Sequence, residues 1–333
     1  MAKQIGIDLG TTNVLVYVQG RGIVLNEPSV IAVYREDGSI RAVGDQAREM
    51  LGRAPETVMV YRPMRNGVIA HYSVTEAMLS YFLRKVAGRW RLLAPDVMIC
   101  IPGGATSVES RAVRNATLAA GARRAYLIPE PLAAALGANV PIDGPDDNLI
   151  VSIGAGTTEV AVISLNGIVV KDSIRVGGNR LDDAIAAYIK RQHNLLVGER
   201  AAEEVKVQVG TALPLERDLE WDVRGRDQVS GMPRSMTVRS GEVLEAIKEP
   251  LGQIVDVVKS VLEHTPPELA SDIYNKGMVM TGGTAQLRGI DALMAQATEI
   301  PCQVAENPLN CVALGTGRAL EELSFLKRSL IEV

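Results

Sequence analysis

Gly6-Ile7-Asp8-Leu9-Gly10-Thr11-Thr12-Asn13-Val14, near the start of the chain, is the stretch on which the fold turns. Apolar runs from Gln4 to Leu9 and from Val14 to Val18 flank Gly10-Thr11-Thr12-Asn13, so the segment reads as a β-hairpin with a glycine-rich turn. The same grammar returns later. Val151-Ser152-Ile153-Gly154 matches Ile7-Asp8-Leu9-Gly10 at an offset of 144 residues. After a two-residue insertion, Thr157-Thr158-Glu159-Val160 matches Thr11-Thr12-Asn13-Val14. A repeat of this size predicts two similar half-molecules facing each other. Chance likeness between glycine-rich hairpins is the alternative, because short turn patterns recur.

Around these hairpins the chain alternates strand and helix patterns, which predicts an α/β architecture. Asp96 to Pro102 reads as a short buried strand. Thr106-Ser107-Val108-Glu109 has the spacing of a capping box opening a helix that ends near Gly121. Tyr126 to Ile128 reads as a strand, and Pro131 sits where a proline best opens a helix. Ser240 to His264 carries apolar residues at spacings of three and four, a long helix that Pro250 should kink and Thr265-Pro266-Pro267 should stop. Met278 to Met280 reads as a strand, Gly282-Gly283 as a tight turn and Leu287 to Ala297 as a helix. Glu216 to Arg239 is polar and charged and suggests a small exposed subdomain.

Composition removes several classes of function. The 333 residues carry a net charge of -4 and only 4% aromatics. A basic face for phosphate backbones and platforms for stacking bases are both lacking, so nucleic acid is not the expected partner. Hydrophobic residues at 47% and charged residues at 22% describe a folded globular protein. Three sparse cysteines, Cys100, Cys302 and Cys311, suit buried reduced thiols better than a disulfide framework. The N-terminus enters a strand pattern at once, so no targeting leader is expected. Leu149 to Val170 is broken by polar residues and reads as two strands, not a membrane span. The sequence has no Gly-Lys dipeptide for a Walker A loop, no His-Glu-x-x-His and no Gly-x-Ser-x-Gly.

What remains is a phosphate chemistry. Glycine-punctuated turns follow strands at 10–13, 154–158 and 282–285. Polyphosphate needs close backbone approach and several N–H donors; glycine permits the first, and Thr or Ser hydroxyls add donors. Two hairpins from two halves would clamp one polyphosphate from both sides. Asp8, at the end of the first strand, would organise Mg²⁺ through water, since that ion keeps much of its hydration shell. Glu130, between Pro129 and Pro131 at a helix mouth, suits the helix dipole and would orient a water for attack on a terminal phosphate. As an isolated residue it reads better as an ordinary acid at a helix N-terminus.

Over essentially its whole length the chain resembles the bacterial actins of the MreB type, including the Mbl proteins. The resemblance is carried by Gly6 to Asn13, by Gly22-Ile23-Val24-Leu25-Asn26-Glu27-Pro28-Ser29-Val30, and by Arg62-Pro63-Met64 with Gly67-Val68-Ile69-Ala70. Glu130-Pro131 with Ala133-Ala134-Ala135, Gly156 to Ser164, Thr265 to Ala270 and Thr281-Gly282-Gly283 continue it. It implies an actin-like fold, shared with heat-shock chaperones and sugar kinases. Its two halves would each hold a large and a small subdomain around a cleft for ATP and Mg²⁺. The implied subdomains are IA (1–31, 75–140 and 312–333), IB (32–74), IIA (141–179 and 243–311) and IIB (180–242). By position, Gly10, Thr11, Thr12 and Asn13 form the first phosphate loop, and Gly154, Ala155, Gly156, Thr157 and Thr158 the second. Glu203 and Lys206 lie near the adenosine, with Gly282, Gly283, Thr284 and Ala285 as its turn. Glu130 and Thr157 position the attacking water, and Asp8 serves the metal through water.

Departures from the family pattern stand at informative places. Ser152 replaces an Asp of the metal site and cannot supply its charge. Ala155 replaces a glycine, which would crowd the loop if that position needs positive φ. Pro129 replaces an acid, Thr284 a third glycine and Asn179 a common Asp. The resemblance further implies homopolymer filaments in the cytoplasm at the inner face of the cell membrane. They would act with membrane proteins of wall elongation to maintain rod shape. The family's N-terminal amphipathic helix is not recognisable here. Trp90, Leu92 and Leu93, beside Arg89 and Arg91, suit a loop at the lipid interface; the alternative is that Trp90 and Leu93 fold back into the core. A slow ATPase coupled to polymerisation, a modulatory paralogue filament with weak hydrolysis, and a small-molecule kinase of the same superfold are the competing functions. A chaperone ATPase has no room for a peptide-binding domain.

Overall fold

The computed structural model describes residues 3–87, 94–144, 147–326 and 329–331. Two five-stranded sheets form its frame, and they share one strand order. In the first, Gln4–Leu9 is central. It pairs antiparallel with Asn13–Val18, which pairs antiparallel with Gly22–Pro28. On its other side Gln4–Leu9 runs parallel to Asp96–Ile101, and Arg124–Pro129 follows parallel at the edge. In the second sheet Asn148–Ile153 takes the central role. Thr158–Ser164 and Gly167–Ile174 are its antiparallel neighbours, and Met278–Thr281 and Cys302–Val304 its parallel ones. The repeat read from the sequence is therefore a repeat of topology. It extends to an irregularity: the register shifts between Val16 and Tyr17 in one sheet and between Val162 and Ile163, their counterparts at an offset of 146, in the other.

Both sheets are buried on two faces, which explains their near-continuous apolar runs. Ile5, Ile7, Leu9, Val97, Ile99 and Ile101 face a core shared with helices Tyr72–Ala87 and Ser107–Ala119. Met98, Cys100 and Ile128 face the opposite way, toward the helices Glu130–Gly137 and Cys311–Glu321. Ile150, Ala161 and Ile163 of the second sheet reach that same central cluster. Leu149, Val151 and Ile153 turn outward to the helices Gly178–His193, Glu199–Val209 and Ser240–Glu263. The two central helices approach so closely that a Cβ at Gly137 would collide with the carbonyl of Cys311, and one at Gly315 with that of Ala133.

Local signals set most boundaries. Thr106 and Glu109 form the capping box that starts the helix Ser107–Ala119, and Pro131 sits in the first turn of Glu130–Gly137. One expectation needs correction. Gly283–Gln286 is a 3₁₀ turn and the next helix spans Ile290–Thr298, because Gly289 at φ 72° breaks the helical path after Leu287. The polar segment before Ser240 is a hairpin, Glu220–Asp227 with Pro233–Arg239, whose Val223 and Val238 are buried. The long helix continues through Pro250 from Ser240 to Glu263. Cys100 and Cys311 are buried and Cys302 partly so, all free. Among the described residues no helix is long and apolar enough to cross a membrane. Trp90, Leu92 and Leu93 lie outside the described residues.

Candidate functional site

The three glycine-rich turns meet at one place, the carboxyl ends of the two central strands. Gly156 of the second turn lies against the first: a Cβ there would stand 2.5 Å from Thr11 Oγ1 and 2.9 Å from the Cα of Asn66. Thr11 Oγ1 also accepts from the Gly67 amide at 2.9 Å. Ser29 braces the first turn by donating to the Gly10 carbonyl at 2.6 Å, and Asn13 donates to Asn26 at 3.0 Å. The second turn closes through Gly154 N–H to the Thr157 carbonyl at 2.9 Å. It is latched to the start of helix Gly178–His193, where Gly178 N–H donates to Gly154 O and Asn179 N–H to Ala155 O. Thr158 Oγ1 donates to the Val176 carbonyl.

The third turn locks onto the second. Thr284 Oγ1 donates to Gly154 O at 2.9 Å, and Gly282, at φ 87°, lies so close to the Ile153 carbonyl that no Cβ would fit. Gly283 faces Leu309, and Ala285 is buried. Lys206 reaches the same corner, donating to the Gly178 carbonyl at 3.2 Å and pairing with Asp182 at 2.9 Å. Glu203 stands one turn earlier on that helix, exposed and facing solvent. Ala155 does not have the positive φ that would make its methyl a strain. Among the described residues, the backbone N–H groups of Thr11, Thr12, Ala155 and Gly156 have no hydrogen-bond partner. Unpaired donors on two facing turns are the chemistry a polyphosphate anion requires.

Beneath the turns lies a group of carboxylates from both halves. Asp8, next to last in the first central strand, accepts a hydrogen bond from Cys100 Sγ at 3.4 Å; burial pushes its carboxyl up to about 6. Glu130, first residue of its helix, accepts from Ser152 Oγ at 3.0 Å. Burial, then the charges of Glu159 and Asp8, hold Glu130 well above the usual carboxylate range against that hydrogen bond. Thr157 is buried beside Gly67, and its hydroxyl has no partner among the described residues. No cluster of three or more His, Cys, Asp or Glu among the described residues would hold a metal directly. The half-buried carboxylate of Asp8 beside a phosphate cradle fits an ion that keeps its water shell, as Mg²⁺ does.

Four residues were not read from the sequence. Glu159 is buried and raised to about 7 by its burial, against hydrogen bonds from Ser173 and the Gly103 amide and the Lys171 charge. Its signal was present, an acid inside an apolar strand. Asp182, pushed up to about 6 by burial against Lys206, gave none. Nor did the cross-cleft ion pair Arg62–Glu199, 2.7 Å apart. Thr12 Oγ1 and Asn179 Oδ1, 3.5 Å apart, also face each other across the cleft.

Two sheets of one topology, with glycine-rich turns closing on a cleft between them, define the actin-like class of proteins. Comparison with known proteins narrows this. The model of the MreB/Mbl protein family matches residues 2–328. The chain is 48% identical over 330 residues to the cell shape-determining protein Mbl of Bacillus subtilis (strain 168), covering 99% of each. It is 50% identical over 329 residues to the cell shape-determining protein MreB of Escherichia coli (strain K12), covering 97% of this chain and 95% of that one. The structure of MreB5 of Spiroplasma citri bound to AMPPNP superposes with a TM-score of 0.92 at 35% identity over 97% of both chains. The ADP-bound form of that protein superposes equally well. This chain belongs to the MreB/Mbl family.

Proposed function

We propose that this chain binds ATP with Mg²⁺ in its cleft and polymerises into filaments under nucleotide control. These filaments would lie at the inner face of the cytoplasmic membrane and organise wall elongation and rod shape. The observation that carries the reading is the closure of two turns from opposite halves on one point, Gly156 against Thr11, with the third turn tied in through Thr284. Relatives named for cell-shape determination and a solved relative bound to AMPPNP and to ADP support it. Self-assembly is an expectation of the family.

In this reading 1–31, 75–140 and 312–333 make subdomain IA, 32–74 IB, 141–179 with 243–311 IIA, and 180–242 IIB. The N–H groups of the two turns hold phosphate oxygens. Gly282 to Ala285, Lys206 and Glu203 border the adenosine. Asp8 holds water of a metal shell. Mg²⁺, when bound, screens the phosphate charge. Glu130 has one oxygen on Ser152, and its other oxygen together with Thr157 orients a water toward the terminal phosphate.

The Ser152–Glu130 bond also favours a second reading, a filament that hydrolyses ATP weakly, because a hydroxyl engaged with Glu130 stands where the family has a carboxylate. Titration calorimetry with ATP, with and without Mg²⁺, tests the binding claim. Gly156→Val should abolish binding by filling the contact with Thr11. Equal affinity in that variant would contradict the site. Cosedimentation with anionic vesicles tests the membrane claim: replacing Trp90, Leu92 and Leu93 with alanine should release the chain from lipid. Undiminished binding would remove that loop from the account.

A further inference from the structure

Outside the three turns, one contact between the halves is unusually complete. The loop after strand Asp96–Ile101 of the first half carries Gly103, and both backbone polar groups of Gly103 are taken by side chains of the second half. Its N–H donates to Glu159 Oε2 at 2.8 Å, and its carbonyl accepts from Lys171 Nζ at 2.8 Å. Ser173 Oγ donates to the other oxygen of Glu159 at 2.6 Å. A Cβ at Gly103 would stand 3.0 Å from Glu159 Oε2, and one at Gly104 3.2 Å from Ser173 Cβ, so the fit leaves little room for a side chain. Lys171, Ser173 and Arg175 alternate, which places all three on one face at the end of strand Gly167–Ile174. Arg175 continues the grip with an ion pair to Glu109 of the first half at 3.3 Å.

Its position makes this contact more than packing. Glu159 follows Thr157 and Thr158 directly, on the strand that leaves the second turn. Pro102, just before Gly103, lies against Gly67, where a Cβ would stand 2.6 Å from its Cγ. Gly67 in turn touches Thr157 and donates to Thr11. A closed ring of contacts therefore runs through both phosphate turns and the Gly103 loop. We propose that Glu159 and Lys171, with Ser173, form a clamp on Gly103 that positions the second phosphate turn against the first half and transmits nucleotide occupancy to the setting of the two halves. The transmission rests on the functional reading above; the clamp itself does not. Glu159 is here a positioning residue, not a catalytic one.

Hydrogen exchange of the full chain tests it, read at the Gly103 amide and over residues 102–109. Glu159→Ala should speed exchange at Gly103 about tenfold, the loss of one hydrogen bond to a charged acceptor. Glu159→Gln keeps an acceptor for that amide and should restore the protection. Lys171→Met, at an exposed position, keeps the fold. It should bind Mg-ATP within about threefold of the parent while losing the ATP-induced protection of 102–109, because binding and transmission are separable free energies. Unchanged Gly103 exchange in Glu159→Ala, or full ATP-induced protection in Lys171→Met, overturns the proposal. A parent chain that binds no ATP would contradict the functional reading and the transmission with it, while the Glu159→Ala comparison would still decide the clamp.

Discussion

Ser152 Oγ donates a 3.0 Å hydrogen bond to Glu130 Oε1, joining the central strand of the second half to the helix mouth of the first. The family resemblance expects a carboxylate at 152. In this chain that position adds no charge to the group formed by Asp8, Glu130 and Glu159. It instead satisfies one oxygen of Glu130, whose carboxyl is held well above the usual range by burial and by the charges of Glu159 and Asp8. The serine is thus compatible with a metal-free cleft in a way that a fourth acid would not be.

Ser152→Asp should therefore destabilise the nucleotide-free chain, by about 1 to 3 kcal/mol, since it buries a carboxylate against Glu130 and removes a donor. Mg-ATP should stabilise this variant more than the parent, because a cation offsets the added charge. Melting curves with and without Mg-ATP check both statements. A variant as stable as the parent without ligand would show that residue 152 does not face the acid group.

The same acids set a pH dependence. Burial raises Asp8 and Asp182 to about 6 and Glu159 to about 7. In the unfolded chain such groups titrate near 4. Between about pH 4 and pH 7 the folded state therefore holds protons that the unfolded state has lost, and stability falls as pH rises through that window. Asp37, Glu109, Asp218 and Asp227 are held low by hydrogen bonds and act only below it. The melting temperature of the nucleotide-free chain should drop by several degrees from about pH 5.5 to about pH 7.5. A rise over that range would mean that these carboxyls are ionised in the folded chain.

Gly315→Ala should cost about 3 kcal/mol or more, by driving a methyl into the Ala133 carbonyl where the central helices cross. Gly252→Ala, on helix Ser240–Glu263 with nothing within reach of its Cβ, should be neutral or stabilising. Urea denaturation of both variants separates the two environments. Equal midpoints would refute the close approach of the helices.

Arg62 and Glu199 close the outer edge of the cleft with an exposed ion pair. Such pairs contribute about 1 kcal/mol at most. Arg62→Ala should accordingly speed release of a fluorescent ATP analogue about two- to fivefold, and added salt should erase the difference between variant and parent. Release unchanged at low salt would show that the pair does not gate the cleft.

The legibility of this chain follows the range of its interactions. Gly10 to Asn13 and Gly154 to Thr158 announced their hairpins because continuous apolar runs flank them, and Thr106 with Glu109 announced a helix start within four residues. These are local rules, and the two-fold repeat is simply the sum of them. The start of the helix at Ile290 was misread because Leu287 fits a helical stripe, while Gly289 takes a left-handed conformation that periodicity does not register. The hairpin of Glu220–Asp227 was hidden because its exposed face is so polar that Val223 and Val238 barely mark the buried one. Glu159 on Gly103, Arg62 on Glu199 and Lys206 on Asp182 join residues distant in sequence. No spacing rule connects such partners; only the assembled halves do.

The central claim is a filament governed by the nucleotide in the cleft. Sedimentation and electron microscopy of the purified chain with Mg-ATP, with ADP and without nucleotide, alongside phosphate release, test it most directly. The account predicts filaments with Mg-ATP, fewer or none without nucleotide, and slow phosphate release. Filaments without measurable release would favour the weakly hydrolysing reading that Ser152 suggests. A chain that forms no filaments in any of the three states, with or without lipid vesicles, would contradict the account.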